Sequence, residues 1–165
     1  KLNIEAWYSR RTTTCDEDKD TGIPMQSETT VTGLKLVTKY RPGENSSVTI
    51  RADCRISEPG NSVGTLLLSD IFFRLRKVPL SIWYRYCLFK TSDWDSRIYT
   101  YENDMVWSYN VPAMSGQGSR SYIMLALQAG RRSEIRIKYG ITSEKGPDAS
   151  WILNDDLKFQ VRMEF

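Results

Sequence analysis

From Leu157 to the last residue the chain alternates without a break. Leu157, Phe159, Val161, Met163 and Phe165 are apolar, and Lys158, Gln160, Arg162 and Glu164 stand between them. Successive side chains of a strand point to opposite faces, so this period of two predicts a strand with one apolar and one charged face. The rhythm recurs upstream. Leu2, Ile4, Ala6 and Tyr8 alternate with Asn3, Glu5, Trp7 and Ser9; Leu34, Leu36 and Tyr40 oppose Lys35 and Lys39; Val48, Ile50, Ala52, Cys54 and Ile56 oppose Arg51, Asp53 and Arg55. Leu67, Ile71, Phe73 and Leu75 oppose Asp70, Arg74 and Arg76, whereas Ile82, Tyr84, Tyr86 and Leu88 face Trp83, Arg85 and Phe89 in a less clean alternation. Further strands are expected over Ser119–Gln128 and Glu134–Tyr139.

The stretch 96–112 reads either as one long strand or as a hairpin turning near Asn103-Asp104. The hairpin is preferred: it keeps strand lengths ordinary, and an odd loop lets Tyr101 face the same side as Trp107. The expected fold is therefore all-β, an antiparallel up-and-down β-barrel of about ten strands, or the C-terminal strands of a larger outer-membrane barrel, in a single domain over residues 1–165 with no linker. Connections at 12–28, 57–63, 91–95, 112–118 and 140–150 read as long and polar. Those at 42–46, 77–78, 103–104 and 130–132 read as tight. Long loops on one rim and short turns on the other are the pattern of outer-membrane barrels.

Periodicity does not say which face is inside. A barrel with its apolar face inward is a soluble binding module with an apolar ligand cavity, and one with that face outward sits in lipid. Three features favour the outward arrangement. Tyr8, Tyr40, Tyr99, Tyr109, Tyr122 and Tyr139 crowd towards strand ends, as an interfacial girdle does. The connections are asymmetric in length. The polar face mixes both charge signs, Lys138 among them, which suits pairing across a narrow lumen; Arg51, Asp53, Arg55, Asp70, Arg74, Arg85, Glu102, Arg136, Arg162 and Glu164 are the lumen-facing candidates. The alternating end with Phe159, Val161, Met163 and the final Phe165 looks like the C-terminal assembly signal of bacterial outer-membrane barrels.

Composition narrows the chemistry. Basic residues number 23 against 20 acids and form no run, so the net +3 gives no footprint for nucleic acid. The absence of His removes Ser-His triads, His-based zinc sites and the usual neutral-pH general base. Cys15, Cys54 and Cys87 are too widely spaced for a disulfide framework or a zinc motif. Asp16-Glu17-Asp18 and Asp155-Asp156 are adjacent carboxylates that a strand would point to opposite faces, and Gly116-Gln117-Gly118 lacks the helix and Lys of a phosphate loop. No catalytic residue, metal or cofactor is expected. Arg131-Arg132 lies in a tight turn where it is solvated or touches anionic headgroups. The start on Lys1, with no Met or signal peptide, reads as a mature or trimmed piece of a longer precursor.

The segments GTLLLSD (64–70), KVPLSIWYRYCLF (77–89), DSRIYTYENDM (95–105), VPAMSGQGSRSY (111–122) and LKFQVRMEF carry a resemblance. Over roughly residues 34–165 the chain is similar to the C-terminal, β-rich part of a Bacteroides-type outer-membrane family of helix-hairpin-helix domain proteins. The resemblance implies the last part of a larger protein in the outer membrane of a Gram-negative bacterium. The sequence-level expectation is a barrel with a transport, uptake or scaffold role. Its partners would be outer-membrane lipid, the barrel-assembly machinery through the C-terminal strand, and other envelope proteins, with no nucleic acid bound by this segment.

Overall fold

The computed structural model describes residues 1–17, 25–146 and 148–164. Alternating, β-branched and aromatic-rich segments form β1 (Leu2–Glu17), β2 (Met25–Gly43), β3 (Ser46–Glu58), β4 (Ser62–Arg74) and β5 (Leu80–Thr91). After an excursion that holds β6 (Ile98–Tyr99) and β7 (Ala113–Met114) come β8 (Gln117–Gln128), β9 (Ser133–Lys145) and β10 (Trp151–Met163). Eight strands make one antiparallel sheet in the order β1-β2-β3-β4-β5-β8-β9-β10, and β6 and β7 pair in a small second sheet. The chain is all-β and runs up and down as the alternation predicts, with ten strands in total. The sheet is not closed: β1 and β10 each pair on one side.

The hairpin expected within 96–112 does not join the main sheet. Its residues cross the polar face of that sheet, so main-sheet parity does not govern them. Met105 is buried while Trp107 and Tyr109 are exposed. The polar stretches expected as loops at 12–28 and 140–150 are largely strand. Residues 12–14 and 29–32 are all β-branched, Thr except for Val31, and pair in register, Thr12 with Thr30 and Thr13 with Thr29, leaving 18–24 outside the described residues. β9 likewise extends to Lys145. The connection at 57–63 is tight, three residues from Pro59 to Asn61, with Asn61 in the left-handed region at φ 49°. Gln117 and Gly118, expected in a loop, begin β8.

The register places the alternating apolar residues on one face throughout: Tyr40 opposite Leu2 and Val48, Ile71 opposite Val48 and Tyr84, Ile123 opposite Tyr84 and Tyr139, and Leu157 opposite Tyr139. That face is bare. Leu2, Tyr8, Leu157 and Phe159 expose 61%, 65%, 71% and 65% of their surface. On β3 the apolar row from Val48 to Ile56 covers about 27 Å of strand, close to what a tilted strand needs to cross a hydrocarbon core.

Candidate functional site

The opposite face is where the molecule buries its charge. Residues 92–116 leave β5, cross that face and return as β8, and the sheet grips them one strand at a time. On β3, Arg55 donates to the Arg97 carbonyl at 2.9 Å and Arg51 to the Tyr99 carbonyl at 3.3 Å. On β5, Arg85 donates to the Tyr101 carbonyl and clamps the Asp70 carboxylate of β4 with two bonds of 2.5 and 2.7 Å. On β8 and β9, Arg120 and Lys138 take Glu102. On β10, Lys158 takes Asp104 at 2.6 Å, and Gln160 accepts from the Val106 amide and donates to its carbonyl. From β3 to β10 is about 24 Å at strand spacing, and ten extended residues reach about 30 Å, so the excursion 92–116 serves as a strap whose residues 97–106 span the sheet.

Glu102 is the centre of the grip. Its side chain is fully buried, and its two oxygens accept from Arg120 Nε at 2.6 Å, Arg120 Nη2 and Lys138 Nζ at 3.1 Å each, and Asn110 Nδ2 at 3.0 Å. Oε2 takes three of these bonds and Oε1 the one from Arg120 Nε. Burial works against its charge, but the Arg120 and Lys138 bonds prevail and hold it below the ordinary 4.5. Asp104 receives Lys158, the Met105 amide at 2.9 Å and Ser108, and is likewise held below 3.8 despite burial. Lys138, itself 0% exposed, lies 4.4 Å above the Tyr122 ring, whose hydroxyl accepts from the Asn103 amide at 3.2 Å.

Beside this polar cluster the strap seals a small apolar one: Ile98 and Met114 pack on Leu66, Leu68, Cys87 and Phe89. The imperfect alternation of β4 and β5 is thereby explained, because those strands are apolar on both faces beneath the strap. Gly64 permits the close approach of the strap, since a Cβ there would strike the Ser96 carbonyl; Gly118 serves packing within the sheet, where a Cβ would strike the Ser143 carbonyl of β9 and come within 2.8 Å of the Phe89 ring. The strap's first turn is fastened by Asp93, which accepts from the Ser62 hydroxyl and from the Ser96 amide at 3.0 Å. Those bonds lower its pKa.

Of the residues singled out from the sequence, Arg51, Asp53, Arg55, Asp70, Arg85 and Arg136 all lie on the face the strap covers, and Glu102 lies on the strap itself. Arg74 is exposed near the rim, donating to Ser81 at 3.3 Å, and Arg162 and Glu164 pair with each other at 3.4 Å away from the cluster. Phe159, Val161 and Met163 line the bare face of the edge strand β10, and Phe165 lies outside the described residues. Among the girdle tyrosines, Tyr8, Tyr40 and Tyr139 are on the bare face. Tyr122 is 2% exposed on the other, because it shares β8 parity with Arg120, and Tyr99 and Tyr109 belong to the strap. Sequence reasoning passed over Arg120, Asp104 and Lys158. Arg120 and Lys158 carried a signal, both being charges at polar-parity positions of predicted strands, whereas Asp104 gave none beyond being acidic.

Glu102 and Asp104 are each held by cations, whereas Asp53 meets Arg51 through one oxygen and its Oδ1 is buried without a hydrogen-bond partner. Among the described residues no three His, Cys, Asp or Glu side chains converge as metal ligands do. No protein-family model matches the chain, and no curated protein and no solved structure matches it either.

Proposed function

We propose that this chain forms wall of a membrane-spanning β-barrel in the outer membrane of a Gram-negative bacterium, with residues 92–116 folded into the lumen as a plug. Its role is then transport, uptake or scaffolding, without catalysis in this segment. One observation carries the reading: the sheet is inverted relative to a water-soluble protein, with Glu102, Lys138 and Arg85 buried on one face while Leu157, Phe159, Leu2 and Tyr8 stand bare on the other. Soluble monomers rarely expose an apolar patch beyond a few hundred Å². Here it extends across all eight strands of the sheet.

In lipid the inversion is the stable arrangement. The bare face meets hydrocarbon, and the charged face, with its strap, is withdrawn from it. The same physics requires that the free edges of β1 and β10 be paired in the membrane, since an unpaired row of N–H and C=O groups has no partner in hydrocarbon. The resemblance of the terminal alternating strand to an outer-membrane assembly signal agrees with this reading.

Spin labels test it directly. Attached at Val161 or Gln160 after Cys15, Cys54 and Cys87 are replaced by alanine, they report whether oxygen in the bilayer or an aqueous nickel complex relaxes each site. In reconstituted protein the label at 161 is expected to respond to oxygen and that at 160 to differ from it. Recovery of the chain as a folded monomer without detergent, with both sites open to the nickel complex, would sink the proposal.

A further inference from the structure

The two rims of the sheet differ in charge. The turns at 44–45, 75–79 and 129–132 share one rim with both ends of the sheet: the Arg41 amide donates to the Lys1 carbonyl at 2.8 Å and the Glu164 amide to the Arg132 carbonyl at 2.9 Å. Lys1, Arg41, Arg76, Lys77, Arg131 and Arg132 are all exposed there, facing only Glu44 and Glu164 as exposed acids. Among the described residues none of those six cations joins an ion pair. The opposite rim carries more acids than cations among its exposed, described residues: Glu28, Glu58, Asp93, Asp95, Glu144 and Asp148 against Arg10, Arg11, Lys90 and Lys145.

We propose that the short-turn rim is a docking surface for the phosphates of anionic phospholipid headgroups, an inference that rests on the membrane-wall reading. The basic rim borders the bare apolar face directly. Leu2, Tyr40, Phe73, Leu75, Val78 and Met163 are exposed next to the cations, at 61%, 50%, 46%, 36%, 47% and 60%. An amphiphile satisfies both surfaces at once, acyl chains on the apolar residues and phosphate on the Lys and Arg heads, whose stems lie along the boundary. A nucleic acid offers phosphates but nothing to cover the adjoining apolar belt. The opposite rim, with its excess of acids, would repel the same headgroups, so the charge difference also orients the sheet: short turns towards the anionic leaflet.

The test is insertion of the full chain from denaturant into vesicles of neutral phosphatidylcholine, or of phosphatidylcholine with one third phosphatidylglycerol, read by flotation and Trp fluorescence. The wild type is expected to partition about tenfold or more better into the anionic vesicles at low salt. That preference should collapse when salt near 1 M shortens the screening length to about 3 Å. In R76Q/K77Q/R131Q/R132Q the preference is expected to vanish while insertion into neutral vesicles persists. Equal wild-type insertion into both vesicle types would overturn the rim proposal and leave the membrane reading standing. Insertion into neither would overturn both. Competition by duplex DNA at equal phosphate would show a general polyanion surface and also overturn it.

Discussion

Glu102 illustrates why single residues matter in this molecule. Its carboxylate is the near counterion of half-buried Arg120 and buried Lys138, whose only other carboxylate partners are Asp156 at 3.5 Å and Asp104 at 3.8 Å among the described residues. Removing one partner of such a group typically costs about 3–5 kcal/mol, most of it the penalty on the charges left behind. Glu102→Ala is therefore expected to release the strap, read as faster hydrogen exchange at the Glu102 and Thr100 amides, which now bond the Asn110 and Pro112 carbonyls. Lys138→Met should be milder, since Arg120 still holds Glu102. Acid should act on the same bonds. Glu102 and Asp104 have folded pKa values below their ordinary 4.5 and 3.8, so the stability they contribute is present above those values and lost as pH falls through the lower folded ones. Amide protection in 98–106 is expected to hold from neutral pH down to about 4.5 and to fall progressively below it; protection unchanged at pH 2 would contradict the assignment.

The strap as an element depends on close contact as much as on charge. Gly64 lies under the Ser96 carbonyl, so Gly64→Ala must push the strap's first turn away from β4. Overpacking of this kind costs about 1–3 kcal/mol. Gly43, where an added Cβ meets nothing, supplies the control. Denaturant midpoints are expected to drop for the alanine at 64 and to stay near wild type for that at 43; equal midpoints would mean that β4 and the strap do not pack as described. The strap also explains why β5 and β8 are neighbours although 25 residues of chain, 92–116, separate them: the excursion is folded back onto the sheet, and the antiparallel order is kept across it.

For the molecule as a whole, the decisive question is which solvent the apolar face meets. Leu67 sits mid-strand on that face, 52% exposed, opposite Ala52 and Leu88. In a bilayer, arginine at such a depth costs about 2–4 kcal/mol. In water, replacing an exposed leucine by arginine changes stability by about 0.5 kcal/mol or less. Leu67→Arg is thus expected to depress folding yield and stability in lipid vesicles, with Thr65→Arg, nearer the rim, less affected. A neutral effect at both positions would count against the membrane wall.

Much of this was legible from spacing alone. Alternation from Leu2 to Met163 specified strands, their parity and their up-and-down order, because a period of two is a local property of extended backbone and needs no knowledge of neighbours. It also gathered Arg51, Asp53, Arg55, Asp70, Arg85 and Arg136 on one face. It could not say what covers that face. Residues 96–112 alternate well enough to pass for a hairpin in the sheet, and their true place as a strap follows from contacts with Arg51, Arg85, Arg120, Lys138 and Lys158, which lie as far as 54 residues away. Whether an apolar face points inward or outward is likewise a statement about what lies against it. Only packing settles that, and here it put the charges beneath the strap and left the greasy side bare.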